Sequence, residues 1–275
     1  MPDSSIPRWC LLVLAVACAP DNSPGTEIGP SPEADLPIVD LFANVTSVAD
    51  GDSFRAVVDG EEMEVRLLGV NAPERDECYG PEAAVWLSET IDGKEVGLAV
   101  APEPDQFDRI LAVAVVDRIN LNLASLSSGH ALVVSADGID RSSFVAAEDE
   151  ARAAAVGMWA DDICGAAGPR ATLGIETIDF DPPGPDEVET VTIVNSGAED
   201  IDLDGFILRD ESSVNRFEFP SLLLAQGESV TVTVSDCRVD QSVTNWCSEQ
   251  PVFNNDGDAA LVVDPFGRVV ALARY

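Results

Sequence analysis

The sequence is poor in the side chains that most often bind zinc or nucleic acid. It contains a single histidine, His130, and a single lysine, Lys94. One histidine excludes sites built on two imidazoles, such as those of the His-His zinc hydrolases and most zinc fingers. No uninterrupted apolar run approaches the roughly 20 residues that span a bilayer, so the sequence also excludes a polytopic membrane protein.

Positive charge is scarce as well. The chain has 15 lysines and arginines against 50 aspartates and glutamates, a formal net charge of -35 at pH 7. Proteins that bind polyanions usually carry a basic patch that neutralises phosphates. A polyanion would here have to be bound through a local cluster of arginines, through bound cations, or in a salty medium that screens the repulsion.

The length and hydrophobic content are those of a globular protein. The chain has 275 residues, of which 46% are hydrophobic, and this predicts one or two domains and excludes wholesale disorder. Alanine-rich sequence gives way to strand-like patterns at residues 165–171 (GAAGPRA). We therefore predict one domain over residues 38–164, a linker over 165–171 and a second domain over 172–275.

The N-terminal residues have the pattern of an export signal. Arg8 precedes a short apolar run that ends in small residues, which predicts a signal peptide over residues 1–17. The sequence LAVAC at residues 14–18 resembles a bacterial lipobox, so we expect Cys18 to carry a lipid that anchors the protein in the membrane; plain secretion is the alternative. Residues 18–37 are rich in proline and lack periodicity, which predicts a flexible tether.

Export would permit disulfides. Four cysteines remain outside the signal and its cleavage site: Cys78, Cys164, Cys237 and Cys247. Sequence alone allows three connectivities. We predict the pairs Cys78 with Cys164 and Cys237 with Cys247, which keep each bridge within one predicted domain.

Periodicity predicts strands and a few helices in the first domain. The predicted strands are residues 43–49, 53–58, 62–68, 95–100 and 109–116, and the predicted helices are residues 80–91, 121–128 and 142–156. Five strands with interspersed helices predict a fold that is mainly β with α, a small OB-fold barrel with three helices. In the second domain the clearest predicted strands are residues 187–195, 205–210, 229–235 and 259–264.

Five motifs in the first domain carry a family resemblance. They are residues 50–54 (DGDSF), 65–74 (VRLLGVNAPE), 79–83 (YGPEA), 105–112 (DQFDRILA) and 148–159 (EDEARAAAVGMW). Each is weak alone, but together and in this order they resemble the staphylococcal nuclease (thermonuclease) family. The resemblance implies an OB-fold, calcium-dependent phosphodiesterase whose substrates are DNA and RNA.

The resemblance also implies roles for individual residues. Glu74 would be the general base or the carboxylate that orients the attacking water, and Arg66 and Arg109 would hold the phosphate, a bidentate geometry that lysine cannot reproduce. The implied calcium ligands are the side chains of Asp52 and Asn71 and the main-chain carbonyl of Ala72, an all-oxygen set of the kind calcium accepts.

The sequence departs from the family pattern at two places. The family has an aspartate where this chain has Asn71, which predicts weaker calcium binding because one ligand charge is missing. The family's tyrosine and glycine are replaced by Phe107 and Asp108, which predicts weaker substrate binding. These departures and the net charge of -35 motivate an alternative function, a binding or adhesion lipoprotein whose nuclease fold is weakly active or inactive.

Each of these residues also has a purely structural interpretation. Asp-Gly-Asp is more often a hairpin turn than a metal loop, Arg66 and Arg109 could each form a salt bridge at a strand end, and Glu74 could cap a turn. We expect His130 to serve in packing or at the surface. Trp86 and Trp159 are expected in the core.

The second domain resembles a different family. The sequences at residues 188–195 (VETVTIVN), 203–210 (LDGFILRD), 217–220 (FEFP), 226–228 (QGE) and 253–258 (FNNDGD) resemble the lamin-tail domain. This implies an immunoglobulin-like β-sandwich without a catalytic constellation, whose role would be interaction: surface anchoring, substrate capture or self-association. The combined prediction is an exported, surface-tethered calcium-dependent endonuclease acting on DNA or RNA, with a lamin-tail module of unassigned ligand.

Overall fold

A computed structural model describes residues 36–166, 168–182, 188–212, 214–238, 240, 242–255 and 257–275. The predicted signal peptide, Cys18 and nearly all of the predicted tether lie outside these residues. Within the described part, no helix is long and apolar enough to cross a membrane.

The N-terminal part of the described chain is a barrel with helices, which we call the barrel domain. Its elements are β1 (Leu41–Val48), β2 (Ser53–Val58), β3 (Glu61–Leu67), β4 (Val70–Asn71), α1 (Gly80–Ile91), β5 (Glu95–Val100), β6 (Ile110–Val116), β7 (Ile119–Asn120), α2 (Leu121–Ser127), β8 (Leu132–Val133), α3 (Arg141–Ala154) and a 3-10 turn, Gly157–Trp159. All five predicted strands and all three predicted helices are present within two residues of the expected bounds.

Five of these strands close into a barrel. The strand order is β3-β2-β1-β5-β6, and a parallel pairing between β3 and β6 joins the two edges. Closure removes the open edges that a sheet of this size would otherwise expose. The predicted OB-like barrel is therefore confirmed.

Alternation along the strands explains where the barrel core lies. In β3, Val65 and Leu67 are buried while Arg66 between them is only partly covered, because successive side chains of a strand point to opposite faces. The largest fully buried side chains of this core include Phe54, Leu87 and Leu98. Each such side chain contributes about 1.5 to 3 kcal/mol on burial.

The helix ends differ slightly from the sequence-based expectation, for identifiable reasons. Helix α3 begins at Arg141 because the carboxylate of Asp140 accepts a hydrogen bond from the N–H of Ser142 at 3.1 Å, the usual N-cap contact. It ends at Ala154 rather than 156, and Ala155 adopts the left-handed conformation with φ of 49°. Gly157, expected to end the helix, instead packs against the main chain of Gly129.

The C-terminal part of the described chain is a two-sheet structure, which we call the sandwich domain. Its elements are β9 (Leu173–Asp179), β10 (Thr190–Asn195), β11 (Ile201–Asp202), β12 (Ile207–Arg209), β13 (Arg216–Glu218), β14 (Leu223–Leu224), β15 (Ser229–Ser235), β16 (Asn245–Cys247), β17 (Ala259–Val263) and β18 (Val269–Arg274).

The two main sheets have the orders β16-β15-β10-β9 and β13-β12-β17-β18. Buried side chains of both sheets share one core, among them Ile193 and Val232 from the first and Leu208 and Val262 from the second. This confirms the predicted immunoglobulin-like sandwich. The four predicted strands correspond to β10, β12, β15 and β17, and the other six strands of this domain were not among them. Residue 187 of the predicted first strand lies outside the described residues.

Both predicted disulfides are present. Cys78 pairs with Cys164 across a sequence separation of 86, and Cys237 pairs with Cys247 across a separation of 10. The first bridge joins the loop before α1 to the chain just beyond the 3-10 turn. It therefore fastens the segment that follows Glu74 to the end of the barrel domain.

The two domains pack against each other through an apolar cluster. Leu132, Ala151, Met158 and Trp159 of the barrel domain are buried with three residues of the sandwich domain, Ala259, Leu261 and Val269. Trp159 is 6% exposed, as expected for a core residue. The sequence had indicated two domains and a linker, but no local pattern indicated this interface.

Polar contacts surround the apolar cluster. Arg274, in the last strand, forms an ion pair at 2.6 Å with Glu148, which is completely buried in α3. Arg170 donates to the carbonyls of Met158 and Ala160, each at 2.7 Å. A buried carboxylate is stable only when it is paired and hydrogen-bonded. The charge of Glu148 is therefore paired only while Arg274 of the sandwich domain remains beside it.

His130 packs between aromatic rings, as expected from the sequence. Its ring stacks on Trp86 with centroids 4.6 Å apart and on Tyr79 at 5.6 Å. Burial lowers the pKa of His130 to about 4. The imidazole is therefore neutral at physiological pH and contributes packing.

Candidate active site

The centre of the candidate site is a guanidinium held between two oxygen-bearing side chains. Arg66 lies in β3, directly opposite Ser53 of β2 in the strand pairing. Its Nη1 pairs with Oδ1 of Asp52, and its Nη2 donates to Oδ1 of Asn71 at 2.9 Å. Three of the residues assigned from the sequence thus meet through hydrogen bonds.

Asp52 is fixed on all sides. Its Oδ1 also accepts from the hydroxyl of Ser53 at 2.9 Å, and its Oδ2 accepts from the N–H of Ala72 at 2.7 Å. The residue is 1% exposed. Burial raises the pKa of Asp52 to about 7, although the guanidinium of Arg66 opposes the shift.

Two glycines allow the loops of the site to approach each other. A Cβ on Gly51 would lie 2.6 Å from Cβ of Ala72 and 2.7 Å from Cβ of Ala83, and a Cβ on Gly80 would overlap the carbonyl of Glu74. Only glycine permits such close packing. The Asp-Gly-Asp loop, the loop of Glu74 and the start of α1 are consequently locked together.

Glu74 lies on a turn that is closed by its own hydrogen bonds. Its N–H donates to Oε2 of Glu77 at 3.1 Å, and the N–H of Glu77 donates back to its carbonyl at 2.9 Å. The side chain of Glu74 is exposed. Partial burial and the neighbouring carboxylates of Asp50 and Glu77 raise its pKa, as is typical of a carboxylate that accepts a proton in catalysis.

The turn of Glu74 is also tied to the sandwich domain. Oε1 of Glu77 accepts a hydrogen bond from Nη2 of Arg216 in β13. Burial alone would raise the pKa of Glu77, but the hydrogen bonds from Arg216 and from the N–H of Glu74 outweigh it and lower the pKa. Nothing in the sequence suggested that a residue of the second domain would reach this loop.

The loop also contacts the sandwich domain at two further points. Nδ2 of Asn71 donates to the carbonyl of Glu211 at 3.4 Å. A Cβ added to Gly267 would lie 2.6 Å from Cβ of Cys78. The sandwich domain thus contacts both ends of the segment from residue 71 to residue 78.

Arg109 immediately precedes β6 and is held by an acid of its own turn. Its Nε donates to Oδ2 of Asp105 at 2.7 Å, and its main-chain N–H donates to Oδ1 of Asp105 at 3.0 Å. The carboxylate that binds this guanidinium is therefore Asp105. Asp108, which the sequence had placed beside it, occupies the turn with φ of 65°.

The strand register relates Arg109 to Arg66. Strands β3 and β6 are parallel, with Val65 opposite Ile110. Arg109 immediately precedes Ile110, and Arg66 immediately follows Val65. Both arginines therefore adjoin the same residue pair between the two strands.

The described residues contain no group of three or more histidine, cysteine, aspartate or glutamate side chains placed to hold a metal ion. This agrees with the presence of Asn71, an amide, where the sequence pattern of the family has a carboxylate. The side-chain oxygens of Asp52 and Asn71, two of the implied ligands, both bond the guanidinium of Arg66.

Comparison with protein families matches both domains. Residues 64–161 match the model of staphylococcal nuclease homologues, and residues 166–275 match the lamin tail domain. The chain joins a staphylococcal nuclease-like domain to a lamin tail domain. The barrel domain is accordingly called the nuclease domain below, and the sandwich domain is called the lamin tail domain.

Curated relatives match about two fifths of the chain. An uncharacterized endonuclease of Haemophilus influenzae is 30% identical over 119 residues, covering 43% of this chain and 66% of the relative. The probable endonuclease LCL3 of Phaeosphaeria nodorum is 34% identical over 124 residues, covering 40% and 42%. An uncharacterized endonuclease of Escherichia coli is 28% identical over 123 residues, covering 44% and 79%. The chain spans less than two thirds of the length of the first two.

Proposed function

We propose that the protein is a calcium-dependent endonuclease that hydrolyses phosphodiester bonds of DNA, RNA or both. The family of the nuclease domain and the relatives named as endonucleases support this proposal. The observation that carries it is the bonded cluster of Asp52, Arg66 and Asn71 beside the turn of Glu74. These are the residues to which the motifs assign phosphate binding, cation binding and base catalysis.

The donor set is compatible with calcium. The side-chain oxygens of Asp52 and Asn71 already converge on one cationic group, the guanidinium of Arg66. Calcium takes carboxylate, amide and main-chain carbonyl oxygens, and the family generally depends on it. Asp52, Asn71 and the carbonyl of Ala72 would hold the ion, which would supply positive charge to the phosphate of the transition state.

The protein's own side chains supply the remaining chemistry. Glu74 has an exposed carboxylate with a raised pKa, suited to orienting a water molecule and accepting its proton. Arg66 and Arg109 both adjoin the Val65–Ile110 pair of the barrel and carry planar guanidiniums, which bind phosphate oxygens in a bidentate manner. Their ion pairs with Asp52 and Asp105 hold both groups in place before the substrate arrives.

Calcium titration tests this proposal. We expect metal-free full-length protein to be inactive, calcium to start cleavage of single-stranded DNA or RNA, and a chelator to stop it. The Asn71→Asp variant should reach half-maximal rate at a lower calcium concentration, because a second carboxylate strengthens the site. Calorimetry would measure the affinity directly. An unchanged or weaker affinity in this variant would show that Asn71 does not contribute to the metal site.

We further propose that the protein is exported and tethered through a lipid on Cys18. The pattern of residues 1–18 supports export, and the two disulfides are consistent with an oxidising compartment. Cell fractionation provides the test: wild-type protein should sediment with membranes and be extracted by detergent, whereas a Cys18→Ser variant should not carry the lipid. Equal lipid labelling of both proteins would contradict the proposal.

The alternative function, binding without cleavage, makes a distinct prediction. An inactive protein would still bind oligonucleotides but would leave them intact at every calcium concentration. The Asn71 position and the net charge of -35 motivate this alternative. Retention of Arg66, Glu74 and Arg109 favours the enzyme.

A further inference from the structure

A cavity of about 250 Å³ lies beside the turn of Glu74. The nuclease domain contributes Pro73, which precedes Glu74, and Glu77. The lamin tail domain contributes Ile207, Arg209 and Arg216. The cavity is therefore formed by both domains, and it is continuous with the loop to which the proposed function assigns catalysis.

Arg209 is an unusual lining residue because its charge is buried. It is 8% exposed, and in the described part of the chain its side chain makes one hydrogen bond, from Nη1 to the carbonyl of Ser212 at 2.9 Å. A guanidinium carries five N–H donors, and burying a charge with few partners is costly. A buried charged side chain with few hydrogen-bond partners is often part of a binding site.

A second guanidinium faces the same space. Strands β12 and β13 are antiparallel, and their register places Arg209 directly opposite Arg216. Like charges in directly opposite positions destabilise a strand pair. Glu77 accepts a hydrogen bond from Arg216, and its negative charge stabilises the positive charges of both arginines at this end of the cavity.

The other acid lining the cavity is already neutralised. Asp264 forms an ion pair at 2.8 Å with Arg268, and both side chains are buried. Asp210, next to Arg209 in sequence, is occupied by hydrogen bonds from Ser212 and Asn215. Among the described residues, Arg209 is therefore the guanidinium of the cavity that has no carboxylate hydrogen-bonded to it.

We propose that this cavity binds a phosphodiester group of the polynucleotide substrate, next to the nucleotide that is cleaved. The proposal rests on the proposed nuclease function and extends it to the lamin tail domain, which would supply a substrate subsite. Its volume is below the 300 to 1,000 Å³ usual for small-molecule sites, a size that suits one backbone group rather than a large ligand. Arg209 provides the forked donors that phosphate oxygens accept.

Substitution of Ile207 tests the subsite without touching the catalytic loop. Ile207 lies on the same strand face as Arg209, lines the cavity and is only partly buried. Ile207→Glu places a negative charge in the cavity, and Ile207→Gln is its uncharged match in size. We expect the KM for a long single-stranded DNA to rise at least about ten-fold in the glutamate variant relative to the glutamine variant, since like-charge contacts are strongly unfavourable, with kcat little changed.

A second variant tests the arginine itself in a binding assay that does not require turnover. In full-length protein carrying Glu74→Gln, Arg209→Lys retains the charge but loses the guanidinium fork. We expect weaker binding of fluorescein-labelled oligothymidylate, measured by anisotropy. Inorganic phosphate should also compete with the oligonucleotide. The competition should be stronger in the protein that retains Arg209 than in the Arg209→Lys variant. Arg238→Gln, on an exposed arginine of the lamin tail domain, is the control and should bind like the parent.

Salt dependence gives an independent measure in the same assay. Each phosphate contact with a single strand contributes about 0.7 to the slope of log affinity against log salt concentration. Arg209→Gln in the Glu74→Gln background should reduce the slope by about this amount. Thermal unfolding of each variant establishes that it is folded before binding is compared.

The outcomes separate this proposal from the nuclease function. Cleavage by the wild type with equal KM in Ile207→Glu and Ile207→Gln, and an unchanged salt slope in Arg209→Gln, would overturn the subsite and leave the nuclease intact. Failure of the wild type to cleave any substrate, with the predicted losses in binding, would overturn the nuclease and leave the subsite. Loss of kcat without a change in KM would show that the cavity acts on the loop of Glu74 instead of on the substrate. This result would also overturn the proposed subsite.

Discussion

A Glu74→Gln variant should cleave nucleic acid at least about 100-fold more slowly than the wild-type protein, the scale of removing a general base. Glutamine keeps the size of the side chain and cannot accept a proton from water. The N–H of Glu74 would still donate to Glu77, so the turn should remain closed. The measurement is the single-turnover rate on an end-labelled oligonucleotide with saturating calcium.

A matched control lies a few residues away in the chain. Glu82 is exposed in the first turn of α1, and Glu82→Gln makes the same chemical change without altering the site. Its rate should remain within about two-fold of the wild type. Arg109→Ala should also lose about 100-fold, since it removes one donor to the transition state. Undiminished cleavage by both Glu74→Gln and Arg109→Ala would mean that the site lies elsewhere.

Removal of the Cys78–Cys164 bridge should be the most damaging change to stability. The bridge spans 86 residues of sequence, and in the chain-entropy model closing a loop of that length contributes about 4 to 5 kcal/mol. The double variant Cys78→Ser and Cys164→Ser should therefore unfold at a much lower urea concentration. It should also lose activity before it unfolds globally, because Cys78 ends the segment that carries Glu74.

The second disulfide provides the control. Cys237 and Cys247 are separated by 10 residues, for which the same model gives about 2 to 3 kcal/mol. Their double serine variant should be less destabilised than the first and should cleave at the wild-type rate while folded. Equal destabilisation of the two variants would show that loop length does not govern the contribution of the first bridge.

Local pattern was sufficient to predict most of the nuclease domain. Hydrophobic alternation places strands such as β3 and β6, and a proline at the first turn and a stripe of apolar residues define α1. The disulfide pairing followed from the assumption that each bridge stays within one domain, and the structure confirms it. These features depend on short stretches of sequence, so their signals are visible without the fold.

Contacts between distant residues were not predictable in this way. Arg216 reaches Glu77 across 139 residues of sequence, and Arg274 reaches Glu148 across 126. An arginine in a short strand looks the same in sequence whether it faces solvent or another domain. The sequence therefore predicted an interaction role for the lamin tail domain without indicating where it would act, whereas the structure brings it into contact with Asn71, Glu77 and Cys78.

The candidate site shows the same limit on a smaller scale. The motifs assigned Arg66 to phosphate and Asp52 to calcium, as separate roles. The structure bonds the two side chains to each other and adds Asn71 to the same guanidinium. Spacing along the chain indicates which residues take part in the site. It does not indicate which of these side chains bond to each other before the substrate binds.

Hydrolysis of single-stranded DNA in oxygen-18 water tests the central claim most directly. Full-length protein with calcium should produce fragments whose new terminal phosphate carries one oxygen-18 atom, because the attacking water supplies that oxygen. The Glu74→Gln variant, under the same conditions, should yield almost no fragments. Intact DNA after incubation with the wild type, or equal amounts of labelled product from both proteins, would contradict the assignment of phosphodiester hydrolysis to the site of Glu74.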